Sequence, residues 1–372
     1  MNLSLMEGNE AVVRGALYAG CNFFAGYPIT PATSVLSKML ELLPPKGGVC
    51  LQGEDEIGSM GYCLGASMAG CKAMTATSGP GVSLYSEQLS FAVGSEIPLV
   101  IVNVQRLGPS TGSATKGADG DIQFMRWGNS GGLPLIVPAP VDVADCYTLT
   151  IQAFNLAERF RTPVFVASNK EIGLTRESID LSNIDTPGVE ERKGYIGHES
   201  DYLPFRADAP DQAPPFVAVG ESILVRQTSS THGENGYITT DPEEIAAQRQ
   251  RIKDKLELNI GSYSYFDYLA VEGSDTLILT YGVTARAARQ VVVEESGEKA
   301  SLLVLKTLWP VPEELILEKA ADFAKIVVLE MNLGQYVYEI RRIMKDKQVV
   351  FFGQMNGALI TPDQIREVLA NV

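Results

Sequence analysis

Short, almost wholly apolar runs recur along this chain with helical patterns between them, and that alternation restricts the fold more than any other feature. "IPLVIVNV" (97–104) and "TPVFVAS" (162–168) carry few polar side chains, so strands built from them need cover on both faces. Between such runs, "NEAVVRGALYAG" has Val12, Ala16 and Ala19 at helical spacing. "NFFAG" reads as a strand ending in the turn-rich "YPITPAT", followed by a helix from Ser34 to Leu43 and the strand "GVCLQ". A helix from "GEDEIGSMGYCLGASMAG", the strand "KAMTAT", the loop "SGPG" and a further helical stretch lead into "IPLVIVNV". "LPLIVPAP" reads as another strand, and a helix from about Val141 to Arg159 precedes "TPVFVAS". Strands alternating with helices predict an α/β fold with a largely parallel, doubly wound sheet.

The texture changes between Asn169 and Val219, where "RADAPDQAPPF" reads as an extended connecting arm. "TTDPEEIAAQRQRIKDKL" then has a legible helix start: Asp241 caps, Pro242 takes the first position and Glu244 completes a capping-box pattern. Its charges read as a solvated face. A second alternating block supplies strands in "TLILTYG", "SLLVLKTLWPVP", "AKIVVLEMNLG" and "QVVFFGQMNG", and it closes with "TPDQIREVL", capped by Thr361 with Gln364 third. The expected division is 1–185 for the first α/β domain, 186–273 for the arm and its helix, and 274–372 for a smaller α/β domain.

With a net charge of −15, the chain is a poor candidate for nucleic-acid binding. No run of about 18 apolar residues occurs, so no membrane span is expected, and "MNLSLMEGNE" lacks the basic and apolar regions of a signal peptide. The five cysteines form no CxxC pair, which predicts reduced thiols in a cytoplasmic protein and no iron–sulfur or zinc motif. Only His198 and His232 are available, too few for a histidine-rich metal centre.

Four polar stretches directly follow apolar runs: "YPITPAT", "GEDE", "TSGPG" and "QRLGPSTGSATKGADGD". In open α/β sheets ligands gather at the carboxyl ends of strands, so a common rim is the expected site. Thr30 either presents a hydroxyl there or caps its turn. "SGPG" either admits a ligand close to the backbone or is a plain strand-to-helix turn. Arg106 suits a substrate carboxylate or a structural salt bridge. Lys116 is by default solvated. No Walker or GxGxxG pattern is present.

In order and spacing, "GYPITPAT", "GEDEIGSMGYCLGASMAG", "TSGPGVSLYSEQ" and "VQRLGPSTGSATKG" resemble the alpha subunit of the 2-oxoacid:ferredoxin oxidoreductases, especially the 2-oxoglutarate and branched-chain branch. The later "KTLWPVP" and "VVLEMNLGQ" resemble the transketolase C-terminal-like domain of that family. The resemblance implies oxidative decarboxylation of a 2-oxoacid with coenzyme A, giving acyl-CoA, carbon dioxide and reduced ferredoxin. Thiamine diphosphate would supply the carbon chemistry, with its aminopyrimidine held by the first domain here. A partner beta subunit would hold the diphosphate and magnesium; "GADGDIQ" is only superficially similar to the GDG…N pattern that does so. Iron–sulfur clusters would lie on partner subunits, with separate gamma and ferredoxin-like delta subunits, and the chain alone would be inactive.

The resemblance assigns the cofactor's N1′ to the glutamate before a small-residue helix. The match is "EIG", hence Glu56, with Glu54 the fallback and Asp55 decoration of the helix start. A carboxyl hydrogen-bonded to N1′ favours the imino form whose 4′-nitrogen removes the thiazolium C2 proton, and shielding from water aids that proton sharing. Ser78 and Gly79 join it as cofactor-binding residues, and Thr30, Arg106, Ser110, Thr111 and Lys116 lie on the substrate side. Where the 2-oxoglutarate branch continues "PSTG" as "LPT" or "QPT", this chain has "SAT" before Lys116. Lys116 either supplies a second-carboxylate contact or, with an apolar substrate, stays in solvent. Gly58, Gly61, Gly65 and Ala69 share one helical face, and since glycine costs a helix roughly 1 kcal/mol, a close-packed backbone or partner subunit is expected there. Alternatives are a branched-chain or aromatic 2-oxoacid paralogue, a non-catalytic assembly subunit, or a transketolase-like transferase.

Overall fold

The computed structural model describes residues 3–294 and 299–372. Its first sheet is five-stranded and wholly parallel, in the spatial order Val49–Gln52, Phe23–Gly26, Ala73–Thr77, Leu99–Gln105, Pro163–Asn169. Every position of Ala73–Thr77, Leu99–Gln105 and Pro163–Asn169 is buried, as the apolar runs require of strands covered on both faces. Helices Gly8–Tyr18 and Val143–Phe160 pack together on one side; Gly15 permits their approach, since a Cβ there would lie 2.5 Å from the Tyr147 carbonyl oxygen.

The second sheet runs Gln348–Gly353, Lys325–Glu330, Thr276–Thr280, Ser301–Leu305, Phe266–Leu269, parallel except for the last strand. Its antiparallel edge strand thus lies ahead of residue 274. The closing helix Pro362–Ala370 has the full capping box of Thr361 and Gln364.

Several local expectations change. "LPLIVPAP" yields only the short strand Val137–Pro138, which pairs antiparallel with Thr307–Trp309 and so ties the two α/β units together. "SLLVLKTLWPVP" therefore divides into Ser301–Leu305 and Thr307–Trp309 in different sheets. The segment Ser4–Glu7, assigned no element from its sequence, pairs with Arg176–Ile179. Helices start or stop within a residue or two of expectation, at Thr33–Leu42 and Val143–Phe160.

Helix Pro242–Glu257 corrects two readings. Asp241 accepts from the Glu243 and Glu244 amides as expected, but its own amide bonds to Thr239 Oγ1, so Glu244 completes no capping box. Nor are all its charges solvated. Lys255 is buried against Glu96 at 2.7 Å, and Arg251 forms a two-pronged pair with the same carboxylate. Arg161, also buried, donates to the Glu96 carbonyl and to the Pro204 and Pro214 carbonyls of the arm. This charged cluster seals the arm to the first domain.

Candidate active site

The order of the first sheet locates a crevice before any side chain is considered. Taken in sequence order, its strands lie 2-1-3-4-5, so connections leave in opposite directions at the boundary between Phe23–Gly26 and Ala73–Thr77. Loops diverge at such a switch point and open a ligand cleft beyond the carboxyl ends. "YPITPAT" and "SGPG" flank it, and the other two polar stretches follow the neighbouring strands.

Asp55 caps the helix Glu56–Met68, its carboxylate accepting from the Gly58 amide at 2.7 Å. That frees Glu56, the first helical residue, from capping duty. Glu56 is buried, whereas Glu54 is exposed. The Glu56 carboxylate has no hydrogen-bond or ion-pair partner among the described residues. It lies against Gly81: a Cβ there would stand 2.8 Å from Glu56 Cγ, 3.1 Å from Oε1 and 2.0 Å from Thr77 Oγ1. Glycine at 81 is what lets the carboxylate sit across the strand end.

Ser78 is fully buried and its Oγ is unpartnered, although it stands where a helix cap would be. Gly79 opens onto Asp121, whose carboxylate oxygens are 3.8 and 3.9 Å from a Cβ built there, and onto the Ser110 carbonyl at 4.0 Å. These contacts bring Glu56, Ser78, Gly79 and the Ser110 loop to one rim.

Arg106 ends buried, and its guanidinium donates to the Thr30 carbonyl at 2.5 Å and the Thr111 carbonyl at 2.9 Å, leaving Nε unpartnered. It fastens the first and fourth polar stretches to each other through backbone, a structural tie of a kind that a salt-bridge reading did not anticipate. Burial draws its pKa down, opposed by the negative charges of Asp121 and Glu56. The Thr30, Ser110 and Thr111 side chains are exposed on the rim.

Lys116 is exposed and its ammonium has no partner among the described residues; its stem packs on Gly357 of the second α/β unit. Among those residues, no three His, Cys, Asp or Glu side chains are grouped to hold a metal ion.

Asp121 was not singled out from the sequence, nor was Asn103, whose amide donates to it at 3.0 Å. Burial raises the Asp121 pKa against that hydrogen bond and the Arg106 charge. Two residues back, Asp119 accepts from Asn169 at 2.8 Å. Burial pushes its pKa up to about 7 against that bond, with Glu330 and Asp121 adding to the rise. The available signal was amide residues, Asn103, Gln105 and Asn169, at the ends of otherwise apolar strands.

Among the described residues no backbone packs closely on Gly58, Gly61 or Gly65 of helix Glu56–Met68. Gly61 and Gly65 are exposed; a Cβ at Gly65 would meet nothing within 4 Å, and at Gly61 only Gln88 Nε2 at 3.5 Å. The expected internal close packing is absent among the described residues, and Ile57 and Tyr62 lie exposed on the same helix.

Residues 14–251 match the family model described as pyruvate flavodoxin/ferredoxin oxidoreductase, thiamine diphosphate-binding, and residues 274–365 match pyruvate:ferredoxin oxidoreductase core domain II. The chain is 38% identical to the 2-oxoglutarate synthase subunit KorA of Methanothermobacter thermautotrophicus, over 98% of this chain and 97% of that protein. It is 39% identical to the subunit of the same name from Archaeoglobus fulgidus, over 99% of both. To the ketoisovalerate oxidoreductase subunit VorB of Methanothermobacter thermautotrophicus it is 31% identical, over 100% of this chain and 97% of that protein. A 2-oxoglutarate:ferredoxin oxidoreductase from Magnetococcus marinus, solved with 2-oxoglutarate, coenzyme A and succinyl-CoA bound, superposes with a TM-score of 0.93 at 33% identity. That match covers 100% of this chain and 65% of the other, so this chain spans slightly under two thirds of its length.

Proposed function

This chain belongs to the 2-oxoacid:ferredoxin oxidoreductase family as an alpha-type subunit with a thiamine diphosphate-binding domain, and from that premise we propose that Glu56 is its cofactor-activating acid and 2-oxoglutarate its substrate. The reaction is the oxidative decarboxylation of the 2-oxoacid with coenzyme A to acyl-CoA and carbon dioxide, electrons passing to ferredoxin. The observation that carries the Glu56 role is a buried residue whose carboxylate has no partner among the described residues, lying against Gly81 at the switch point of the sheet.

The residues present fit an aminopyrimidine. Glu56 would hydrogen-bond N1′, Ser78 Oγ is a buried polar atom lacking a partner, and Gly79 leaves space that a Cβ would fill. When bound, thiamine diphosphate would supply the carbon chemistry for decarboxylating a 2-oxoacid. Glu56 would hold the proton at N1′, with Thr77 and Gly81 packed beside its side chain. Arg106 would keep the Thr30 and Thr111 backbone in place through their carbonyls.

Gly81→Ala is expected to displace the Glu56 side chain and weaken thiamine diphosphate binding by roughly tenfold, in line with ordinary overpacking penalties. Titration calorimetry of the reconstituted complex measures it; unchanged affinity would remove Gly81 from the cradle.

The beta subunit would cover the exposed glycine face of helix Glu56–Met68 and contribute the diphosphate and magnesium site. Separate gamma and delta subunits would carry iron–sulfur clusters towards ferredoxin. The five unbridged cysteines support a cytoplasmic setting.

The identities to KorA proteins and the 2-oxoglutarate-bound relative support the dicarboxylate, as does the unpaired Lys116 ammonium on the Arg106 loop. The "SAT" sequence before Lys116 and the likeness to VorB support a second reading, a branched-chain 2-oxoacid. A substrate panel on the purified complex separates them. For 2-oxoglutarate, Lys116→Ala is expected to raise KM by about tenfold, the worth of one charged hydrogen bond, while any monocarboxylate activity stays constant. Equal effects on both substrate classes would exclude a second-carboxylate role.

A further inference from the structure

The segment Asp119–Gln123 belongs to the first domain, yet most of its backbone is held by the second. The Asp119 amide donates to the Met331 carbonyl at 2.9 Å, and the Asp119 carbonyl accepts from Asn332 Nδ2 at 2.9 Å. Gln335 grips both sides of Asp121: its Nε2 donates to the Gly120 carbonyl at 2.5 Å and its Oε1 accepts from the Gln123 amide at 2.9 Å. Gln123 Nε2 returns a bond to the Gln335 carbonyl at 2.6 Å, and Trp309 Nε1 donates to the Ile122 carbonyl at 3.0 Å.

Asn332 is fully buried with both ends engaged. Its Nδ2 also donates to the Tyr281 hydroxyl at 2.8 Å, and its Oδ1 accepts from the Gly334 and Gln335 amides at 2.8 and 3.0 Å. It therefore fixes the turn that presents Gln335. From its own domain the Asp121 amide is bound by Gln105 Oε1 at 3.0 Å, and the Asp121 carbonyl accepts from the Met125 amide at 2.8 Å. The result is a backbone clamped from the far side, with the Asp121 carboxylate directed towards Gly79 and within electrostatic reach of Arg106.

We propose that Gln335, oriented by Asn332, is a positioning residue for the 2-oxoacid site: it sets the Gly120–Gln123 backbone and through it the Asp121 carboxylate and the loop that Arg106 fastens. The inference rests on the reading of this rim as the active site. A glutamine is suited to the task because one side chain end carries both a donor and an acceptor, matching a carbonyl and an amide three residues apart. Glutamate would keep the acceptor for Gln123 and set a second acceptor against the Gly120 carbonyl.

The test uses the reconstituted multisubunit complex. Gln335→Ala is expected to raise KM for the 2-oxoacid roughly tenfold, the effect of losing about two neutral hydrogen bonds, with kcat within about twofold. Amide exchange should rise across residues 107–123, and Gln335→Glu should give an intermediate KM. Gln335→Met, which keeps the side-chain volume, carries the same test if the alanine variant does not assemble. Wild-type KM and exchange in both would overturn the proposal. So would the same KM rise in Ile365→Ala, a core substitution of the second domain distant from the loop, at matched thermal stability. Glu56→Gln in parallel keeps the two readings apart: a complex that keeps its turnover fails the active-site reading. One that loses it while Gln335→Ala behaves as wild type fails only this inference.

Discussion

Glu56→Gln is expected to cut turnover of the assembled complex by about 10²–10³-fold, within the range that positioned proton-transfer groups contribute. The substitution keeps the shape of the side chain and removes the ability to hold a proton at N1′. Folding should be almost indifferent to it. The carboxylate has no partner among the described residues, and Asp55, not Glu56, caps the helix. Assembly by size exclusion should therefore match wild type while ferredoxin or dye reduction collapses. Glu54→Gln, two residues earlier, ahead of the helix and exposed, is expected to stay close to wild type. Full turnover in Glu56→Gln would leave the chain as an assembly subunit whose cofactor is activated elsewhere.

That Glu56 alone of the three acids in "GEDE" is buried reflects a local setting, its entry into the first helical turn. The strands that end at the rim are buried on both faces, so their apolar runs stand out, and the polar residues immediately after them mark the crevice. Asp55, expected only to decorate the helix start, is its cap, and Glu56 enters the first turn. Interactions between distant segments were not legible in this way. "LPLIVPAP" has strand composition, but its pairing partner lies about 170 residues away at Thr307–Trp309, so only two residues form a ladder. Arg251 and Lys255 look like the solvated charges of any amphipathic helix until Glu96 meets them. Gln335 and Asn332 are ordinary amides in "EMNLGQ", and only the docking of the second domain brings them to Gly120 and Asp119. Arg106 shows the intermediate case: its place at a strand end announced a rim residue, yet its two firm contacts are carbonyls.

The largest expected effect on stability lies in the cluster that helix Pro242–Glu257 brings down onto Glu96. That carboxylate is wholly buried, with Lys255 at 2.7 Å, Arg251 paired to both its oxygens and Arg161 close by. Removing one member of such a cluster strands the others, and Glu96→Gln is expected to cost about 3–5 kcal/mol because two buried cations lose their counter-charge. The proton linkage has a definite sign. Burial alone would raise the Glu96 pKa, but Lys255 and Arg251 outweigh it and hold the carboxyl well below its ordinary value of 4.5. A group depressed in the folded state stabilises at pH above its unfolded value and loses that contribution as pH falls through the folded one. Wild type should therefore lose stability steadily below about pH 4.5, and Glu96→Gln should lose less over the same interval. Lys255 acts at the other end: burial draws it down to about 8, only partly offset by Glu96, so its contribution grows as pH rises from about 8 towards its unfolded value. Urea unfolding of the purified subunit from about pH 2 to about pH 10.5, the span over which the two groups titrate, reads both limbs. Adding Lys255→Met to Glu96→Gln should recover part of the loss, since the stranded ammonium is then gone. If Glu96→Gln matched wild type at pH 7 and kept its acid limb, the cluster would be adequately solvated, and the arm would be held by its backbone bonds to Arg161 alone.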